Sequence, residues 1–424
     1  MPLFFDKDIS VKQEILAGLT TFFTMAYIII VAPTMYHQAG ANFDAAFTAT
    51  CLITIIGTLL VALYSNLPLG MAPGLGLMSY LCFEVVGRLG FSWHTGLAAV
   101  FISGLIFMVI TITRIRQFIL RAIPRSMGLA VAAGIGFFIG FLALRNAGII
   151  VSDPATLLTL GHLGHGPAIL FFLGFFIITV LDGYGIPGAI LIGIVAVTLL
   201  GDLLGLNHFV GIFALPHFHF SSFGSLDFGP LWHIASIPVL FTFVIIALFD
   251  STGTLIGLTS LIHFKTQEEA NRRINRALLM ESFATTGSAL LGASTLSPFV
   301  ESAAGIKAGG KTGLTGLVIA LCFMLSLFLG PLASSIPPFA TASALFYVAC
   351  MMIKPFAGVN FDDPTELIPA VMILFIIPLS FSIADGVGIG IICYVALKGA
   401  RREWRAIHPM LWALMLVFLV YFGL

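Results

Sequence analysis

Apolar runs of roughly twenty residues recur along this 424-residue chain from end to end, and that recurrence leaves few folds open. A helix rises 1.5 Å per residue, so about twenty apolar residues cover the ~30 Å hydrocarbon core of a bilayer. Such runs cover Ile15–Tyr36, Ala46–Ser65, Trp93–Arg114, Met127–Ala147, Ala168–Asp182 and Ile186–Leu204. After the second of them lies LPLGMAPGLGLMSYLCFEVV, where Pro68, Gly70, Pro73, Gly74 and Gly76 interrupt a continuous helix. It reads as an extended piece followed by a half-helix starting near Pro73, and it completes seven elements. Past the polar loop Gly205–Trp232 the pattern begins again: Ile234–Ile262, Ile274–Ala293, the broken segment STLSPFVESAAGIKAGG, Thr312–Ala333, Phe339–Met352, Ile368–Ile383 and Val387–Leu397. The break recurs at the third element of the second half, and Ile-Pro opens the fifth in both halves, at Ile123-Pro124 and Ile336-Pro337. Pro409–Leu424 is either one more crossing or a helix lying at the surface.

Two repeats of seven crossings must be inverted relative to each other. Of the nineteen basic residues only Arg88 and Arg145 fall opposite the rest, which places the N-terminus and the loop before Glu268 in the cytoplasm. Hydrophobic residues make up 59% of the chain and charged ones 9%, so most of it belongs in lipid. Equal numbers of acidic and basic residues give no field to attract nucleic acid. Cys51, Cys82, Cys322, Cys350 and Cys393 stand singly in apolar stretches without metal-ligand spacing and read as packing residues. The polar start MPLFFDKDISVKQE is not a cleavable signal, so the first apolar run stays as the first span. His208, His217 and His219 make a weak metal set, and no Rossmann or P-loop glycine spacing follows a strand.

Unwound backbone at membrane depth survives only where protein or a cavity satisfies it, so matching breaks in inverted repeats point to a transporter's substrate site. In the second break Ser297 is placed to cap a half-helix, Pro298 suits its first turn, and Glu301 falls where the helix dipole favours an anion. Four carboxylates lie at or near membrane depth: Glu84, Asp250, Glu281 and Glu301. Each costs a few kcal/mol if ionised and unpaired there, and the helix around Asp250 holds no basic residue. Asp250 and Glu301 have a bland reading as well, as acids that pin helices through nearby hydroxyls and amides. Glu84 and Glu281 lie nearer helix ends and, with Thr254, are candidates for a structural or coupling role. Two carboxylates without nearby cations repel anions and suit a cation or a neutral heterocycle offering N–H donors. Either acid is also a place for a proton taken up with the solute. Phe83 and Phe299 could stack on a planar ring, though packing is the ordinary role of such residues.

At these residues the chain resembles the AzgA-like hypoxanthine, guanine and adenine permeases of the nucleobase/ascorbate transporters, through EILAGLTTFFTMAYIIIVAP, MAPGLGL, AAGIGFFIGFLALRNAGI, LFDSTGTLIG, VESAAGIKAGGKTGLT and PLSFSIADGVGIG. The likeness runs in order over nearly the whole length. It implies an all-α fold of about fourteen elements in two inverted repeats, with half-helices at the third and tenth. It implies core segments 1–114 and 233–334 moving against gate segments 115–232 and 335–424. It also implies a pocket in which Asp250 and Glu301 bind the base and couple protons, lined further by Ala72, Pro73, Gly74, Met78, Phe299, Val300 and Ser302. The expected activity is proton-coupled uptake of a purine across the bacterial inner membrane without any cofactor, with Na⁺ in place of H⁺ left open, by a membrane-embedded protein of a fold in which homodimers are common. Two positions depart from the family pattern: its GLNAY is Gly76-Leu77-Met78-Ser79-Tyr80 here, and an Asp usual three residues before Asp250 is Ala247. Losing those polar partners leaves another purine, a pyrimidine or a different uncharged solute open. An anion is disfavoured by Glu301. An intramembrane enzyme using the two acids is disfavoured by the paired breaks, which such an enzyme does not need.

Overall fold

The computed structural model describes residues 10–113, 124–215, 223–232, 236–264 and 266–423. Ile123, His217, His219 and several of the basic residues used for orientation, Lys7, Arg114, Arg116, Arg121 and Lys265, lie outside the described residues. Among those described, nine helices are long and apolar enough to cross a membrane, and the chain is a multi-pass membrane protein.

The first span is two helices, α1 (Val11–Met25) and α2 (Ile28–Gln38), separated by Ala26 and Tyr27. α3 (Phe43–Ser65) follows, then a three-residue strand β1 (Met71–Pro73), the short α4 (Leu75–Ser79), which runs on as a π-helical stretch Tyr80–Arg88, and α5 (Trp93–Ile112). α6 (Arg125–Asn146) leads into an exposed hairpin of β2 (Ile150–Asp153) and β3 (Leu157–Leu160), then α7 (Gly166–Gly183) and α8 (Ala189–Leu203). In the second half come α9 (Ile237–Thr259), α10 (Gln267–Leu291), β4 (Leu296–Pro298), α11 (Ser302–Lys307), α12 (Gly313–Ser326) with its extension α13 (Gly330–Ser334), α14 (Pro338–Ile353), α15 (Pro364–Ser380), α16 (Ile383–Ala400) and α17 (Pro409–Tyr421). Helix starts are set by polar caps at the lipid boundary: Asn42, Ser92, Thr266, Thr312, Asp363 and Ser382 each accept a backbone N–H of the first turn. The apolar run expected from Ile274 is the inner part of a longer helix, whose first turns carry Glu268, Glu269, Arg272, Arg273 and Arg276.

The helices pack in two neighbourhoods. α1, α3, α5, α9, α10, α11 and α12 contact one another around β1 and β4, while α6 packs on α14 and α15, α7 on α8 and α14, and α15 on α16. α17 does not lie across the others. Trp404 packs near Gly399 and stacks on Trp412, Phe418 fits against Gly388, and Tyr421 donates to Asp385 at 3.2 Å, so α17 runs back antiparallel along α16. One buried acid escaped the list read from sequence. Glu14 of α1 is 1% exposed and accepts from the backbone of Lys311 and Thr315 and from the Thr315 hydroxyl, closing the start of α12.

Candidate functional site

The two broken segments meet as an antiparallel pair with Met71 opposite Pro298, Ala72 opposite Ser297 and Pro73 opposite Leu296. Phe299 N donates to Gly70 O at 3.0 Å and Gly74 N to Thr295 O at 3.1 Å, one bond at each end. In an antiparallel ladder the bonded positions alternate, so Met71, Pro73, Leu296 and Pro298 turn their backbone polar groups away from the partner strand. Pro73 and Pro298 therefore cost no ladder bond, because neither needs an N–H there. The first half-helix begins at Leu75, next to the expected start near Pro73, whereas Pro298, expected in a first helical turn, lies in the strand and its helix begins later, at Ser302. Ser297 likewise lies in β4 and caps nothing.

Threonines meet the outward-turned groups. Thr58 of α3 accepts from Met71 N at 3.0 Å and donates to Met71 O at 3.2 Å, and Thr285 of α10 does the same for Leu296 N at 3.2 Å and Leu296 O at 3.4 Å. Ser302, 0% exposed, accepts from Gly70 N at 3.0 Å, so its hydroxyl is committed to the crossing.

This crossing positions the acids. From α9, Asp250 shares a hydrogen bond with the Ser297 hydroxyl. Gly74 stands on the other side: a Cβ there would lie 2.6 Å from Ser297 Oγ and 3.5 Å from Asp250 Oδ2, so only glycine lets the three approach. Farther along the same strand segment Glu301 ends the turn before α11, and α9 contacts both β4 and α11. Its Oε1 accepts from Tyr27 at 2.7 Å and its carbonyl from Thr24 at 3.4 Å. Phe299 is buried with its ring 6.3 Å from that of Tyr27, whereas Val300 is 63% exposed. Ala72, Pro73, Gly74 and Met78 are all buried, as is Ala247.

Below Asp250 one face of α9 is open. Gly253, Ile256, Gly257 and Ser260 are exposed and Thr254 is partly so, while Thr242 to Leu248 are buried. Ile256, Thr259 and Ser260 also line a cavity of about 630 Å³ at the α9–α10 connection. The other two acids are held by local donors. Glu281 takes the hydroxyl of Ser251, the neighbour of Asp250, tying α10 to α9. Glu84 accepts from the Ser382 hydroxyl and from Ile383 N at 2.8 Å, with Arg88 beside it at 3.3 Å; Arg88 reaches Asp385 as well.

Tyr27, Thr58, Thr285 and the Ser297–Asp250 bond were not read from sequence. For Tyr27 a signal existed, since a phenol in the middle of an apolar run requires a hydrogen-bond partner. Among the described residues no cluster of His, Cys, Asp and Glu suits a metal ion.

Set beside known proteins, the chain matches the family model described as "Permease family" over residues 12–389. It is 38% identical over 423 residues to the guanine/hypoxanthine permease PbuO of Bacillus subtilis (strain 168), covering 98% of each chain. To the adenine permease AdeP of Escherichia coli (strain K12) it is 37% identical over 409 residues, covering 96% of this chain and 92% of that one. The solved transmembrane domain of the cyanobacterial bicarbonate transporter BicA aligns with a TM-score of 0.66 at 16% identity, covering 91% of this chain and 97% of that one, a likeness of fold.

Proposed function

Because the chain belongs to the permease family of nucleobase/ascorbate transporters, proteins that move solutes and are not enzymes, we propose that it takes up a purine nucleobase together with a proton across the cytoplasmic membrane. The observation that carries this reading is the meeting of Asp250, Ser297 and Gly74 at the paired breaks, with Glu301 on the same segment. Two carboxylates accept hydrogen bonds, a purine offers N–H groups, and no cation stands among the described contacts of either acid to recruit an anion. The relatives named for adenine and for guanine/hypoxanthine bracket the cargo.

In this reading the fold is two inverted repeats of seven elements, and the N-terminus is cytoplasmic. The neighbourhood around β1 and β4 is the core, and α6 to α8 with α14 to α17 form the gate. Support comes from the crossing itself, where Thr58 and Thr285 make equivalent bonds to equivalent strands. The bare face of α9 running from Asp250 toward Ser260 is the path between the site and the cytoplasm. Glu301 or Asp250 takes the coupled proton, and a homodimer is the expected assembly.

The test is uptake of labelled adenine, guanine, hypoxanthine, xanthine and uracil into proteoliposomes, with and without an inward proton gradient, beside Asp250→Asn and Glu301→Gln. Gradient-driven accumulation of a purine, lost in Asp250→Asn, is the expected result. Accumulation driven by Na⁺ alone would replace the coupling ion, and folded protein that moves none of the five would overturn the purine reading.

A further inference from the structure

We propose that Tyr27 is a positioning residue for Glu301: its hydroxyl holds one carboxylate oxygen so that the other is presented to an N–H of the transported base. The inference rests on the nucleobase reading above and adds a residue of the first span to the site.

Three observations carry it. First, Tyr27 is 1% exposed, and its hydroxyl donates to Glu301 Oε1 at 2.7 Å. A carboxylate on a side chain with several rotatable bonds gains a fixed direction from such a bond, since donors to charged acceptors are the stronger kind. Second, the two helices of the first span meet at this residue. α1 ends at Met25 and α2 begins at Ile28, yet the break holds neither glycine nor proline, and Pro33 lies farther along. The junction is closed by Ile29 N on Ala26 O at 3.2 Å and Ile30 N on Tyr27 O at 3.1 Å, and the phenol beside it reaches Glu301. Third, the buried Phe299 ring, on the segment that carries Glu301, backs the phenol at 6.3 Å. A helix junction, a hydroxyl and a ring thus converge on one carboxylate.

The experiment measures binding of labelled adenine and hypoxanthine to purified protein, and initial uptake rates, for wild type, Tyr27→Phe, Glu301→Asp and the double variant. Tyr27→Phe is expected to weaken affinity for the bound base by about tenfold while the maximal rate stays within about twofold. Glu301→Asp withdraws the carboxylate by one methylene from the phenol. On that background Tyr27→Phe is expected to cost less than about threefold, because the two residues act through one contact. Unchanged affinity in Tyr27→Phe, or the same loss in both backgrounds, overturns the proposal. Should Tyr27→Phe not elute as folded protein, Tyr27→Met, an unbranched apolar side chain that also lacks the hydroxyl, carries the test with the same expected loss of about tenfold, and unchanged affinity overturns the proposal. Unchanged affinity in Glu301→Gln is a separate result, which overturns the placement of the base at Glu301.

Discussion

Replacing Thr58 by valine keeps the side-chain shape and deletes one hydroxyl, but that hydroxyl serves both polar groups of the buried Met71. Its N–H bond is 3.0 Å and its C=O bond 3.2 Å, and β4 cannot substitute, because Met71 faces Pro298 at a position whose polar groups turn outward. Each buried backbone group left without a partner costs about 1–3 kcal/mol, so the pair costs about 2–6 kcal/mol. Thr285→Val removes the equivalent bonds to Leu296, which are longer at 3.2 and 3.4 Å, so its cost should fall nearer the lower end. Thr58→Ser keeps the hydroxyl and serves as the control. The assay is the apparent melting temperature of detergent-purified protein followed by size exclusion, where roughly 2 °C or less per kcal/mol is expected for a chain this long. The predicted order of stability is wild type, then Thr58→Ser, then Thr285→Val, then Thr58→Val. Thr58→Val melting with Thr58→Ser would refute the reasoning, because it would mean that the crossing satisfies Met71 without the hydroxyl.

Gly74→Ala places a methyl group 2.6 Å from Ser297 Oγ, so it should part Ser297 from Asp250 and reduce base binding at least tenfold in protein that still elutes as folded, as measured by equilibrium binding. Glu84→Ala leaves the Ser382 hydroxyl and the Ile383 amide without their acceptor at the start of α16, and should lower thermal stability by about 1–3 kcal/mol, more than Arg88→Ala does. Asp363, in the turn before α15, is held below the usual carboxylate range by the backbone amide and hydroxyl of Thr365, with Lys398 and Arg401 adding to it. A lowered folded-state value means that its contribution is present above the unfolded value of about 3.9 and is lost as pH falls through the folded one. Asp363→Asn should therefore flatten the acid side of a melting-temperature profile and leave transport above that range unchanged.

The spans and the two breaks were legible because lipid allows so few alternatives: an apolar run either crosses or hides, and Pro68 to Gly76 could do neither as a plain helix. The acids stood out for the same reason, as charges where charge is costly. What the sequence could not supply was the direction of each bond. Pro73 and Pro298 fit a helix start and an outward-facing strand position equally well, since both dispense with the N–H, and only the pairing of Met71 with Pro298 decides between them. Ser297 was equally ambiguous: a serine before a half-helix is a good cap until the strand carries it to Asp250. Tyr27 and Glu301 are separated by most of the chain, and no local pattern joins them. Glu14 passed as part of a polar leader because its acceptors are satisfied by the Lys311–Thr315 turn from the other half. In each case the missing information is a contact between elements far apart in sequence, most of them from opposite halves of the chain. β1 and β4 come from distant parts of the chain, so the chemistry of each break is readable alone, and the geometry that brings Gly74, Ser297 and Asp250 together exists only after the two strands meet.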